Sequence, residues 1–319
     1  MKSCGPPSKK HSARIRARVL VLLLSSSAAA FLAGCSSTKP PAPAPPALSL
    51  AEHTAAQAAK LSQGQNWPAA AREWRLAAGR FSLLNDEAGE AVALHNLAQA
   101  QHELGREDEA RLQLESASAI NQRLGRTNEW WRNQIALLQI ESHHPETLSS
   151  RFAALLPRVM QLQDRSTRGL FLNELGLWQT RRMRFSEAED SFAQADQQFQ
   201  AVNDPGGRAA VQANRAQLKE EQKDYSEAAR LWRKALDKFE VLADAQGIAR
   251  SLSGQGRSLL FSQTDLPHAE ELLRRATHNF HLLRSSREEA ATRSLWVDCR
   301  RAQGKQSPAD AREPEPGKE

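Results

Sequence analysis

Long apolar runs are missing from this 319-residue chain. The longest stretch of that kind, "VLVLLLSSSAAAFL" from Val19 to Leu32, is fourteen residues broken by Ser25, Ser26 and Ser27. A bilayer-spanning helix needs about 20 apolar residues, so a retained transmembrane anchor is disfavoured. Cysteine is scarce as well: Cys4, Cys35 and Cys299 are the only three, which excludes a disulfide framework. The loop-like stretches "HPETLSSRF" and "DPGG" carry no base, nucleophile or phosphate-cradling pattern. No catalytic residue and no cofactor is therefore expected. Histidines pair at helical spacing, His95 with His102 and His278 with His281, but no acidic or cysteine ligand completes either set. Packed or solvated histidines, and no metal site, are the expectation.

What is present near the start has a definite order. Residues 1–18 hold Lys2, Lys9, Lys10, Arg14, Arg16 and Arg18 with no acid, and the apolar run follows. A positive segment before a short apolar one is the pattern of an export signal. Leu32-Ala33-Gly34-Cys35 then resembles the lipobox of bacterial lipoproteins: an aliphatic residue, two small ones and a cysteine. That resemblance implies cleavage before Cys35, acylation of its thiol and attachment to a membrane. Two or more acyl chains anchor stably where one does not. Ser36 after the cysteine, in place of Asp, resembles the sorting pattern for the outer membrane, with the folded part on its periplasmic face.

Removal of residues 1–34 would take away six bases and no acids, turning Lys+Arg 43 against Asp+Glu 37 into 37 against 37. A formally neutral chain has no electrostatic footprint for nucleic acid. Cys299 lies in line with Ala291 and Leu295 at spacings of four, and is expected to be a buried structural thiol. Residues 35–49 hold Pro40, Pro41, Pro43, Pro45 and Pro46, a linker favouring extended polyproline II. The charged, proline-bearing end, 306–319, reads as a disordered tail.

Between these ends, small residues recur in triplets with gaps of twelve and seven: Ala58, Ala70, Ala77; Ala98, Ala110, Ala117; Gly176, Ala188, Ala195; Ala216, Ala228, Ala235. Gly256, Ala269 and Ala276 form a looser set, and Ala136, Leu148 and Leu155 fill the vacant slot. Six units with a period near 40 span the domain 50–305. The pattern resembles the tetratricopeptide repeat (TPR), whose small residues allow two antiparallel helices to cross closely. Aromatic pairs seven apart, Trp67 with Trp74, Phe185 with Phe192 and Tyr225 with Trp232, each share one helical face. The resemblance implies an all-α, right-handed α-solenoid of helix-turn-helix units. Asp108, Ser186 and Ser226 suit N-caps of the second helices, and Pro68 and Pro267 suit helix starts. Unit three, with leucines in place of alanine, is expected to be splayed or bent. A helix opening with a capping-box pattern at Ser286 and Glu289 should close the stack.

Solenoids of this kind work through the concave face lined by the first helix of each unit. The alignment places Asn96 and Asn214 at one inner position and Asn133 and Asn173 one residue earlier. In kinesin light chains asparagines so placed resemble a ladder for an extended peptide, since an amide both donates and accepts. The competing reading is that these amides are structural. Leu137, Ile140, Leu170 and Leu177 are the candidate apolar contacts, if exposed together. The expectation is a non-enzymatic, lipid-anchored scaffold whose groove binds a protein or extended peptide segment of an envelope complex. A solenoid that only self-associates is the first rival, and an enzyme with a site assembled from loops is the second.

Overall fold

The computed structural model describes residues 46–140 and 145–305. The expected signal peptide, Cys35, the linker as far as Pro45 and the tail 306–319 lie outside the described residues. Helices follow one another without a strand among the described residues: α1 (Pro46–Gln63), α2 (Trp67–Leu83), α3 (Glu87–Glu103), α4 (Glu107–Arg123), α5 (Thr127–Ile140), α6 (Pro145–Val159) and α7 (Arg165–Arg181). They continue as α8 (Phe185–Ala201), α9 (Pro205–Glu221), α10 (Tyr225–Leu242), α11 (Ala245–Ser262), α12 (Leu266–Leu282) and α13 (Ser286–Ala302). Along most of the stack each helix packs on the next, and the first helices of successive units also touch, α5 with α7, α7 with α9 and α9 with α11. Six helix pairs and a terminal helix therefore form an α-solenoid with its first helices inside the curve.

The 40-residue period comes from two near-equal helices joined by near-equal turns. Eight of the helices are 17 residues long. A residue at positive φ recurs about every twenty positions, at Gln65, Asn85, Gly105, Gly125, Met183, Asn203, Lys223, Ala243 and Gln263. At the end of α2 the Asn85 N–H donates to Ser82 O at 3.0 Å and the Asp86 N–H to Phe81 O at 2.9 Å, the paired bonds of a Schellman turn. The same Asp86 then accepts from the Gly89 N–H at 3.0 Å, capping α3. One residue ends a helix and starts the next. Asp204, Asp224 and Asp244 repeat the device, accepting from the N–H groups of Gly207, Glu227 and Gly247 at 2.9, 3.2 and 3.0 Å.

This corrects the expected caps. The residues preceding α4, α8 and α10 are Arg106, Arg184 and Asp224, so Asp108, Ser186 and Ser226 stand inside the first turn. Ser286 is the first residue of α13, after Ser285, and Glu289 binds Arg293 at 2.7 Å instead of closing a capping box. At α4 and α8 closure of the preceding turn sets the start with no side-chain cap, whereas at α10 the capping Asp224 stands two residues before Ser226. Helix α1 starts at Pro46, within the segment assigned to the linker, because proline fits a first helical turn.

The small-residue triplets lie where the helices cross. Ala58, Ala70, Ala77, Ala98, Ala110, Ala117, Ala188, Ala195, Ala216, Ala228, Ala235, Ala269 and Ala276 are all fully buried. A Cβ placed on Gly176 would come within 2.6 Å of the Phe192 ring, so no larger residue fits there. Unit three departs from the pattern. Helix α5 ends after 14 residues, and α6 meets α7 at fewer points of close backbone approach than α8 meets α9. Large side chains fill the space: Leu148 and Leu155 are buried where other units have alanine, and Phe152 lies edge-on to Phe171 at 5.5 Å and against Trp178 at 5.3 Å. Cys299 is fully buried, with its Sγ donating to Leu266 O at 3.4 Å, and burial pushes the thiol up from its ordinary value.

Candidate functional site

The concave side is built by α3, α5, α7, α9 and α11, and its candidate residues divide into buried and accessible ones. Asn173 and Asn214 are buried, and Asn214 Nδ2 donates to Asn173 Oδ1 at 2.8 Å, tying α7 to α9. Asn133 is buried on α5 with its Oδ1 2.8 Å from His95 Nδ1 on α3. Burial, the largest influence, and the nearby Arg132 lower the His95 pKa, against a smaller opposing effect of Asn133. In the neutral form His95 donates through Nδ1 to Asn133. The Asn133 Nδ2 has no partner. Asn96 is half-buried and donates to Val92 O in its own helix at 2.9 Å. Three of the four asparagines thus join neighbouring units.

The apolar candidates separate in the same way. Leu137 and Ile140 belong to the core with Ala98, Ala110 and Leu114 and do not form a groove surface. Register in the short α5 turns them toward α3 and α4. Leu170 is exposed and Leu177 half-buried, so only α7 offers an apolar contact from that set.

Charged groups that the asparagine alignment passed over lie among these elements. Glu174 sits on α7 in the alignment column of Asn96 and Asn214, and accepts from Gln139 Nε2 at 3.0 Å. Burial pushes its carboxyl above the usual carboxylate range, opposed by Gln139, Arg181 and Arg250. Arg250 on α11 is open to solvent but surrounded by the inside of the curve, and that enclosure pulls its pKa down while Glu174, Asp244 and Glu288 oppose the shift. Glu103 on α3 is pushed up by burial and, to a smaller extent, by Glu288 of α13 and Glu107. Charges on α3, α7, α11 and α13 therefore act on one another across the inside of the curve, although these helices are far apart in sequence. The stack curves enough for its ends to meet: Ser285 Oγ, after α12, is 3.5 Å from Gln65 Oε1, before α2. A further buried centre joins units five and six, where Glu220 accepts from Trp232 Nε1 at 3.1 Å, from Ser258 Oγ at 2.6 Å and from Arg257. The polar character of the Glu174 column was visible in the repeat alignment. The convergence of Glu103 with Glu288 needed the curvature.

Paired antiparallel helices that cross on buried alanines and stack on one another define a TPR-like α-solenoid, with charged residues on its inner helices. Solved structures agree with that class. A Rap protein complexed with competence and sporulation factor matches with a TM-score of 0.58 at 14% identity, over 80% of this chain and 76% of that one. A signal-transduction ATPase from Pyrococcus horikoshii with a tetratricopeptide repeat sensor matches with a TM-score of 0.53 at 14% identity, over 81% of this chain and 40% of that one. The apo form of the quorum sensor NprR from B. thuringiensis matches with a TM-score of 0.51 at 13% identity, over 79% and 77%. No family model and no curated protein matches the sequence.

Proposed function

We propose that this chain is a lipid-anchored protein of the bacterial envelope, held through Cys35 on the periplasmic face of the outer membrane, whose concave face receives a segment of a partner protein. The reading rests above all on one observation: Glu103 on α3, Arg250 on α11 and Glu288 on α13 are exposed and Glu174 on α7 is half-buried, and none of them forms an ion pair within 4 Å among the described residues. Charges without an ion-pair partner, Glu174 being held only by the neutral Gln139 amide, suit a polar or charged segment entering from outside. With Leu170 exposed one turn before Glu174 on α7, an extended chain can add an apolar anchor. The role is assembly or regulation of an envelope complex, without a reaction of its own.

The test is crosslinking in cells followed by mass spectrometry, comparing the parent with Glu174→Arg. Heterotypic products that the variant loses support the reading. Products made of this chain alone, or products indifferent to Glu174, would overturn it. The anchor is tested separately. Cys35→Ala should leave an unprocessed precursor retaining residues 1–34, and equal processing of variant and parent would refute lipidation there.

A further inference from the structure

The outer helices of the solenoid differ in charge, and on α2, as on the described part of α6, no carboxylate is exposed. Its exposed face carries Arg72, Arg75, Leu76, Gly79 and Leu83. The only carboxylate in α2 is Glu73, which is half-buried. By contrast α4, α8, α10 and α12 expose Glu109, Asp190, Asp237 and Glu271. The leucines of α2 stand well out of the surface, Leu76 with 51% and Leu83 with 86% of their area open. They are seven residues apart and so lie on one helical stripe, with Gly79 leaving a notch between them. Glu109 of α4 approaches Arg75 at 3.7 Å from one side, while Arg80 turns inward to bond Thr54. A basic stripe with projecting leucines is the composition of a helix that lies in a lipid–water interface.

The position of this face in the chain names its occupant. Helix α1 begins at Pro46, eleven residues after Cys35, and α2 is the next element. Eleven residues reach at most about 40 Å, so under the anchored reading the first unit never leaves the neighbourhood of the bilayer. The prolines set the farthest reach of the tether without preventing it from lying along the surface. No described helix is long and apolar enough to cross a membrane, so contact would be by lying on it. We propose that the outer face of α2 docks on an anionic phospholipid surface, with Arg72 and Arg75 on the headgroups and Leu76 and Leu83 in the interface. Two leucines and two arginines bind weakly alone. Tethering keeps the local lipid concentration high and makes weak contact sufficient. The inference rests on the lipid anchor proposed above. Its consequence is orientation: the anchored solenoid would lie with unit one against the membrane and its concave face turned toward other proteins.

The experiment uses the full chain, purified with its lipid and reconstituted into vesicles of phosphatidylethanolamine and phosphatidylglycerol containing spin-labelled lipid. A polarity-sensitive fluorophore is placed at Leu83→Cys or, as control, at Val241→Cys on α10, which is 87% exposed. Cys299 is fully buried and stays unlabelled in the native protein. The label at 83 should shift to the blue and be quenched at least threefold more than the label at 241. Arg72→Glu with Arg75→Glu, or vesicles of phosphatidylcholine alone, should abolish the difference. Both arginines are exposed, so this variant keeps its fold. Equal quenching at 83 and 241 in a chain whose Cys35 is acylated would overturn the docking and leave the anchor standing. A chain that proves unacylated and leaves the vesicles would overturn both.

Discussion

Removal of the amide of Asn214 tests whether the inner asparagines tie units together or wait for a ligand. In the native stack its Nδ2 donates to Asn173 Oδ1 at 2.8 Å, with Asn214 only 4% and Asn173 only 7% exposed. Asn214→Ala strands the Asn173 oxygen in a site that solvent barely reaches. A buried acceptor left without its donor costs about 1–3 kcal/mol. Asn173→Ala strands the donor and should cost a similar amount. Once either partner is gone the second deletion breaks no further bond, so the double variant should fall short of the sum by about 1–2 kcal/mol. Urea unfolding of a soluble form starting at Ser36, followed by circular dichroism, reads these differences directly. In a domain of this size each kcal/mol also moves the melting temperature by about 2–4 °C. Additive single effects, or singles within about 0.5 kcal/mol of the parent, would refute the tie and return both amides to the groove as free ligand contacts.

Three further outcomes follow from the geometry. A Cβ on residue 247 would lie 2.3 Å from the Phe239 ring, so Gly247→Ala should overpack the junction of units five and six by about 1–3 kcal/mol, read as a lower urea midpoint. Met183 is at φ 57 and 74% exposed, so Met183→Gly should relieve the left-handed turn and stabilise the protein by about 0.5–1 kcal/mol net of lost chain entropy; a lower melting temperature would contradict this. The raised pKa of Glu174 means that the folded state holds its proton to higher pH than the unfolded chain, so this carboxyl contributes most below the ordinary value of 4.5 and that stability is lost as pH rises through the folded pKa. Glu174→Gln should accordingly stabilise the fold at pH 7 and confer no gain near pH 4, and a gain independent of pH would show that the charge is not responsible.

The repeat architecture was legible because alanine at a helix crossing is a packing requirement, and packing requirements recur at the period of the repeat. Ala70, Ala110, Ala188 and Ala228 are buried where that reasoning places them. The splaying of unit three was legible for the same reason, since Leu148 and Leu155 are too large for a close crossing. Helix starts were misplaced at Ser186 and Ser226 because the boundaries follow left-handed residues such as Met183 and Lys223, which carry no strong turn preference of their own, and at Asp108 although Gly105 marks the turn before it. Leu137 and Ile140 were misassigned since the alignment assumes one register, and the short α5 takes another. The bond from Asn214 to Asn173 was illegible in principle. A polar residue on an inner face looks the same whether its partner is a peptide or the neighbouring helix.

The meeting of Ser285 with Gln65 has a mechanical meaning. A solenoid whose ends come within 3.5 Å at Ser285 and Gln65 is nearly a closed ring, and most of its joints are turns of about three residues. Strain would not fall evenly on these joints. Unit three, where α5 is short and five residues separate α6 from α7, is the least tightly crossed. A bend there would part the two ends while the close alanine crossings of the other units stay intact.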